Sequence, residues 1–207
     1  MASQKWVCKI TGKETAMMES ILDVENEFPG VEFKRYIHVS KLGINPDLYN
    51  SYEACPDSVK QVIDKLEVNS DDSFVDIGCG KGYVMFVVAR KQFSRIDGIE
   101  ICPQLAKIAA HNLAAVFGKS DSRFHIFVED AAQFDGWDNY TFAFMYNPFK
   151  KACMDSVIKN IGNSLSRVPR RFSLLYYNPV LDETIWNSGI FSHKSIFSED
   201  CIIYSND

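Results

Sequence analysis

The nine residues Phe74-Val75-Asp76-Ile77-Gly78-Cys79-Gly80-Lys81-Gly82 constrain this chain more than any other stretch. Apolar residues flank one acid and run into three glycines at alternate positions. The pattern predicts a buried strand, a tight turn, and a helix that starts at the last glycine. Glycine permits positive φ and lets the backbone approach a ligand with no Cβ in the way. The free N–H groups of the following helix point back at the turn. Strand, turn and helix start together make a nucleotide-type cradle at the carboxyl edge of a parallel sheet. The spacing excludes two common cradles. Tyr83 follows Gly82, so the third glycine comes one residue early for the dinucleotide fingerprint, and no P-loop pattern is present.

The rest of the chain supplies a sheet around that strand. The periodicity predicts helices over 56–67, about 82–92 and about 103–117, the last stopped by Gly118. A further helix carries Met154, Val157, Ile158 and Ile161 and is expected to stop at Gly162. Strands are expected at 95–100, 123–128, 141–146 and 171–177, with a terminal pair between 190 and 204 around Ser198-Glu199-Asp200. Strand and helix alternate from 73 to 177, which requires parallel strands with crossover helices. The expected fold is therefore α/β: a doubly wound, mostly parallel Rossmann-like sheet, helices on both faces, and an antiparallel C-terminal hairpin. Residues 1–50 resolve poorly. A strand over 31–39 is expected there, in an N-terminal extension or cap ahead of a domain spanning 51–207.

Composition bounds the function. A chain of 207 residues, 46% hydrophobic and 24% charged, is one ordinary α/β domain with a cap. A net charge of -5 argues against a broad nucleic-acid face. The short basic pairs Lys150-Lys151 and Arg170-Arg171 are expected to be solvated charges. Six scattered cysteines without a C-x-x-C pair point to reduced thiols in the cytoplasm. No signal peptide and no membrane span are expected. Trp6, Cys8 and His38 have no metal-ligand spacing, and no metal is expected.

In such a sheet the ligand sits outside the carboxyl ends of the strands, so polar residues at strand ends carry the chemistry. Asp76 ends the first strand. Glu100 ends the second, 24 residues on, where a carboxylate can accept both ribose hydroxyls. Asp130 ends the third, where a carboxylate suits an adenine amino group. Asn147-Pro148-Phe149 ends the fourth. Tyr49, Tyr52 and Glu53 either close over the ligand or merely pack, with packing preferred.

Acid-x-Gly-x-Gly-x-Gly with Glu100 resembles the class I S-adenosylmethionine-dependent methyltransferases, across about residues 50–207. The resemblance implies that Asp76 and Asn147 take part in binding S-adenosylmethionine and that Gly78, Cys79, Gly80 and Gly82 line its methionine part. It implies that Glu100 binds the ribose, that Ile101 packs near the adenine, and that Asp130 and Ala131 meet the adenine edge. Asn147-Pro148-Phe149 is similar to the Asn/Asp-Pro-Pro-Tyr/Phe loop of amino-methyltransferases, with one proline in place of two. Tyr52-Glu53 followed by Phe74-Val75-Asp76 is similar to the non-SET lysine methyltransferases. On this resemblance the acceptor is an amine nitrogen of a protein or small molecule. Asn147 Oδ1 and the Pro148 carbonyl orient its hydrogens, and Phe149, Tyr146 and Phe144 wall it. Two alternatives stay open: an inactive methyltransferase-like interaction protein, and a nucleic-acid amino-methyltransferase.

Overall fold

The structure is a computed structural model. It describes residues 8–10 and 13–15 by their backbone, and residues 20–207 in full. Trp6 and the side chain of Cys8 lie outside the described residues, as does part of the predicted extension. A short antiparallel pair, β1 (Cys8–Ile10) and β2 (Lys13–Thr15), precedes α1 (Ile21–Glu27).

The main sheet has seven strands in the order β5-β4-β3-β6-β7-β9-β8. They are β3 (Ser73–Ile77), β4 (Arg95–Glu100), β5 (Phe124–Val128), β6 (Phe142–Tyr146), β7 (Ser173–Tyr177), β8 (His193–Ser198) and β9 (Cys201–Ser205). The first five are parallel, while β9 runs antiparallel to both β7 and β8. This is the expected doubly wound sheet with its terminal hairpin. The chain builds outward from β3 through β4 to β5, then returns to β6 on the other side of β3. The crevice between β3 and β6 is thus the switch point of the sheet, where such folds bind ligands.

Alternation along the inner strands divides the core into two layers. Phe74, Phe142 and Phe144 face one side, with α2 (Val59–Lys65), α3 (Tyr83–Val88) and the end of α4 (Pro103–Phe117). Val75, Ile77, Ala143 and Met145 face the other, with α5 (Lys151–Arg167) and α6 (Asp182–Trp186). Strands covered on both faces read as continuous apolar runs, and β6 does so, while β3 is apolar apart from Ser73 and Asp76.

Several elements depart from expectation. Residues 31–39 form no strand: only Ile37 bridges, to Tyr52, and Val39 opens a 3-10 turn that runs to Lys41. The helix expected over 56–67 spans Val59–Lys65. Its Asp57 lies before the first turn, where it accepts from the Ile21 amide at 3.0 Å and from the Tyr83 hydroxyl. The helix after the glycines ends at Val88. Gly162 does not stop α5, which runs on to Arg167. A Cβ at Gly162 would lie 2.8 Å from Ile190 Cδ1, so that glycine serves close packing inside a helix. Gly118, with φ +86°, does end α4. Arg170 and Arg171 are not free surface charges. Arg170 donates to the Tyr140 and Trp137 carbonyls, both at 2.7 Å, and Arg171 pairs with buried Asp72.

The N-terminal residues are built into the core. Phe33 is fully buried, its ring 5.4 Å from Tyr83 and 5.9 Å from Phe86. Phe33→Ala is therefore expected to lower the unfolding free energy by about 3–5 kcal/mol. Urea denaturation should show one cooperative transition moved to lower urea. An unmoved transition would mean that the segment packs as an independent extension.

Candidate functional site

The turn after β3 has the conformation its glycines predict: φ is +75° at Gly78, +55° at Gly80 and +83° at Gly82. Only glycine adopts such angles cheaply three times in five residues. The turn is stitched to β4. The Gly78 and Cys79 amides donate to the Ile99 carbonyl at 2.8 and 3.1 Å. The Gly80 amide donates to Glu100 Oε2 at 2.9 Å, and the Cys102 amide to Glu100 Oε1 at 2.8 Å. One carboxylate at the end of β4 thus holds the middle of the turn and the N-cap of α4. Gly98 makes room for this arrangement. A Cβ there would lie 2.6 Å from Cys79 Sγ and 2.8 Å from Met85 Sδ. Gly98 stands in the sequence as a strand residue with no assigned purpose; only the packing gives it one.

Glu100 is buried, and burial pushes its carboxyl up to about 7, against the partial counterweight of its backbone donors. Asp76 is buried behind it. Its carboxyl is raised well above the ordinary range by burial and then by the nearby Glu100 charge. Both acids are buried, and the Glu100 charge further disfavours ionisation of Asp76.

A recess opens above the turn at the β3/β6 switch point. Gly78, Gly80, Glu100, Ile101, Ala131, Pro148 and Phe149 are among the residues that line it. The turn and the loop after β6 touch, since a Cβ at Gly78 would lie 2.8 Å from Pro148 Cβ. Cys79 tucks against Gly98, and Gly82 packs near Ala109 of α4, so these two shape the turn from behind. Asp130 faces away from the recess. Its Oδ1 accepts from the Ala132 amide at 2.9 Å, and its carboxylate lies beside the Tyr49 hydroxyl, raising it further after burial. Glu129 lines the recess in its place.

Asn147 has φ +39° and turns its side chain toward β7, where Oδ1 accepts from the Tyr176 hydroxyl at 3.2 Å. Its carbonyl accepts from Asn50 Nδ2 at 2.7 Å, and the Pro148 carbonyl accepts from the Asn50 amide at 3.0 Å. The two acceptors expected to orient an amine are thus already engaged, Asn147 Oδ1 by Tyr176 of β7 and the Pro148 carbonyl by Asn50 of the segment before α2. Phe144 is buried in the sheet core, whereas Tyr146 lines the recess. Tyr49 and Tyr52, expected to pack, line the recess as well as packing. Tyr49 bridges Phe149, and Tyr52 bridges Ile37, so residues 37–52 lie across the carboxyl ends of β3 and β6. Asn50 was missed because its donors act on backbone 97 and 99 residues away, a pairing with no local signature.

Residues 47–133 match the family model described as histone methylation protein DOT1. No curated protein matches the chain. Among solved structures it is similar to a protein of Nostoc punctiforme, with TM-score 0.57, 16% identity, and coverage of 71% of this chain and 54% of that one. The chain thus spans about half the length of that neighbour. It is also similar to precorrin-6y C5,15-methyltransferase of Geobacter metallireducens, with TM-score 0.52, 15% identity, and coverage of 72% and 87%. A third neighbour is an RNA methyltransferase of Salinibacter ruber in complex with S-adenosyl-L-homocysteine, with TM-score 0.50, 18% identity, and coverage of 73% and 90%. At such identities the likeness is one of fold, and one fold hosts many acceptors. With its strand order and its glycine turn joined to Glu100, the chain has the fold of the class I S-adenosylmethionine-dependent methyltransferases.

Proposed function

We propose that the chain is an S-adenosylmethionine-dependent methyltransferase acting on an amine nitrogen of a protein or small molecule. The observation that carries the cofactor reading is that buried Glu100 lines the recess beside a turn with glycine at alternate positions. A nucleoside needs such a pair: a carboxylate to accept ribose hydroxyls, and bare backbone for close approach. Ile101 and Ala131 supply apolar walls of the same recess. When bound, the cofactor supplies an activated methyl group; the protein supplies alignment and a dry environment. Asp76 and Cys79 shape the turn from beneath, and Asp130 fixes the loop that presents Ala131 and holds Tyr49.

The acceptor enters beside Tyr146. Burial raises its hydroxyl to about 12, with Glu53 and Asp200 adding to the shift, so two exposed acids lie near that ring. An acid-and-aromatic approach suits a basic amine. Tyr146 remains a neutral hydroxyl at ordinary pH and orients rather than deprotonates. Asn147 acts through the loop: its left-handed backbone and its bond from Tyr176 present Pro148 and Phe149 to the recess. Nucleic acid fits poorly, because Arg170 and Arg171 are spent on internal partners and Lys151 is a solvated charge paired with exposed Asp155. Among the described residues no helix is long and apolar enough to cross a membrane. Cys55, Cys79, Cys102, Cys153 and Cys201 are unpaired and buried, which fits the cytoplasm.

S-adenosylhomocysteine at a hundred times its dissociation constant is expected to stabilise the fold by about 2.7 kcal/mol, read as a raised melting temperature. A flat melting temperature and no heat in calorimetry would contradict the cofactor reading. Affinity should also depend on pH. Ribose hydroxyls donate to the ionised carboxylate, so binding favours the deprotonated form. Affinity is therefore expected to rise as pH climbs through about 7 and to level off above it. Glu100→Gln should flatten that rise; an unchanged profile would separate Glu100 from the ribose.

Asn147→Ala is expected to leave S-adenosylhomocysteine affinity within about threefold, a change worth less than 1 kcal/mol, while turnover falls by an order of magnitude or more. Tritiated methyl transfer into fractionated cell extract reads that turnover. Label on oxygen or in nucleic acid would contradict the amine assignment, and full turnover in the variant would remove Asn147 from the mechanism.

A further inference from the structure

Lys81 sits between Gly80 and Gly82 and is completely buried. Its ammonium pairs with the Glu32 carboxylate, donates to the Arg35 carbonyl at 2.9 Å, and lies 4.9 Å from the centre of the Tyr52 ring. The Glu32 carboxylate also meets Arg35 Nη2 at 3.3 Å. Asn112 of α4, itself buried, completes the joint. Its Nδ2 donates to both the Glu32 and Lys81 carbonyls at 3.0 Å, and its Oδ1 accepts from the Glu32 amide at 3.1 Å. The glycine turn and the chain at 32–35 are thereby tied together by polar groups beside the packing of Phe33 on Tyr83 and Phe86.

The same joint places Tyr52. Its hydroxyl donates to the Phe33 carbonyl at 2.5 Å, and its backbone exchanges hydrogen bonds with Ile37 at 3.1 and 2.9 Å. Its ring lies directly on the turn, because a Cβ at Gly80 would stand 2.3 Å from Tyr52 Cε2. Tyr52, Gly80 and Glu100 border one recess. Between Phe33 and Tyr49 most of the strap is exposed, with Leu42 buried against Tyr52, Cys102 and Leu105, so polar and apolar contacts seat it together.

A buried lysine is a costly way to fill space, since an apolar residue of similar volume avoids the desolvation penalty. Buried ion pairs of this kind are best attested where they set register. We propose that Lys81, paired with Glu32, is a positioning residue that holds the strap of residues 31–53 shut over the cradle, with Tyr52 seated on Gly80. Cofactor then leaves only when this joint opens. The proposal rests on the cofactor reading above and adds to it a gate and the residues that lock it.

The test compares wild type with Glu32→Gln and Lys81→Met. Glu32 is partly exposed, so its neutralisation keeps the protein foldable even where Lys81→Met does not fold. Hydrogen exchange is read at the amides of 33–37 and 51–53 and, as an internal control, at those of β3. The dissociation rate of S-adenosylhomocysteine is read by stopped-flow displacement. In Glu32→Gln, strap exchange and cofactor dissociation are both expected to rise by about tenfold or more, with β3 protection unchanged. A merely structural pair would loosen β3 along with the strap and leave the dissociation rate where it was. Faster strap exchange with an unchanged dissociation rate overturns the gate, as does unchanged strap exchange. If wild type binds no S-adenosylhomocysteine, the cofactor reading itself fails and the gate falls with it.

Discussion

One carboxylate organises the site. Glu100 accepts from the Gly80 amide on one oxygen and from the Cys102 amide on the other, joining the glycine turn to the start of α4. Both donors come from backbone that no regular ladder satisfies, and buried amides left unpaired are costly. Satisfying them with a carboxylate brings a second cost, the desolvation of a charge, which shows as a carboxyl raised to about 7. Asp76 is buried close by, and the Glu100 charge adds to the effect of burial in raising its carboxyl.

Around that centre, layers of packing convert a local turn into a defined pocket. The parallel register places Glu100 opposite Val128 and Ile77 opposite Ile99, so three strand ends share one edge. The return to β6 places Pro148 against Gly78, closing the crevice on its other side. The segment before α2 then crosses both loops, with Asn50 satisfying carbonyls at Asn147, Pro148 and Phe149. The turn after β3 and the loop after β6 are consequently tied by one segment that crosses both.

What could be read from the sequence follows from how local each signal is. β4 and α4 have the bounds their patterns predict, because alternation, Pro103 and Gly118 are all local. The placement of Glu100 and the glycines was equally legible, since turn chemistry and strand-end position set it. Residues 31–39 misled because loose alternation looks like a strand, yet the chain finds its partners in Glu25, Asn112 and Lys81 rather than in a ladder. Gly162 misled because a glycine that ends a helix and one that admits a neighbour's side chain look alike in sequence. Asp130 and Asn147 stand at the expected strand ends but turn away from the recess, since Tyr49, Ala132 and Tyr176 compete for their oxygens. Position along a strand is written locally, whereas side-chain direction is decided by partners distant in sequence.

The central claim is that Glu100 is the carboxylate on which the cofactor's ribose rests. Carbon-13 resonances of labelled glutamate carboxyls, titrated against pH with and without S-adenosylhomocysteine, address it at the atom concerned. A resonance lost in Glu100→Gln should titrate near 7 in the free protein. With S-adenosylhomocysteine bound, its midpoint should fall, because hydroxyl donors favour the ionised form. A Glu100 resonance that keeps its midpoint while the ligand is bound would contradict the assignment.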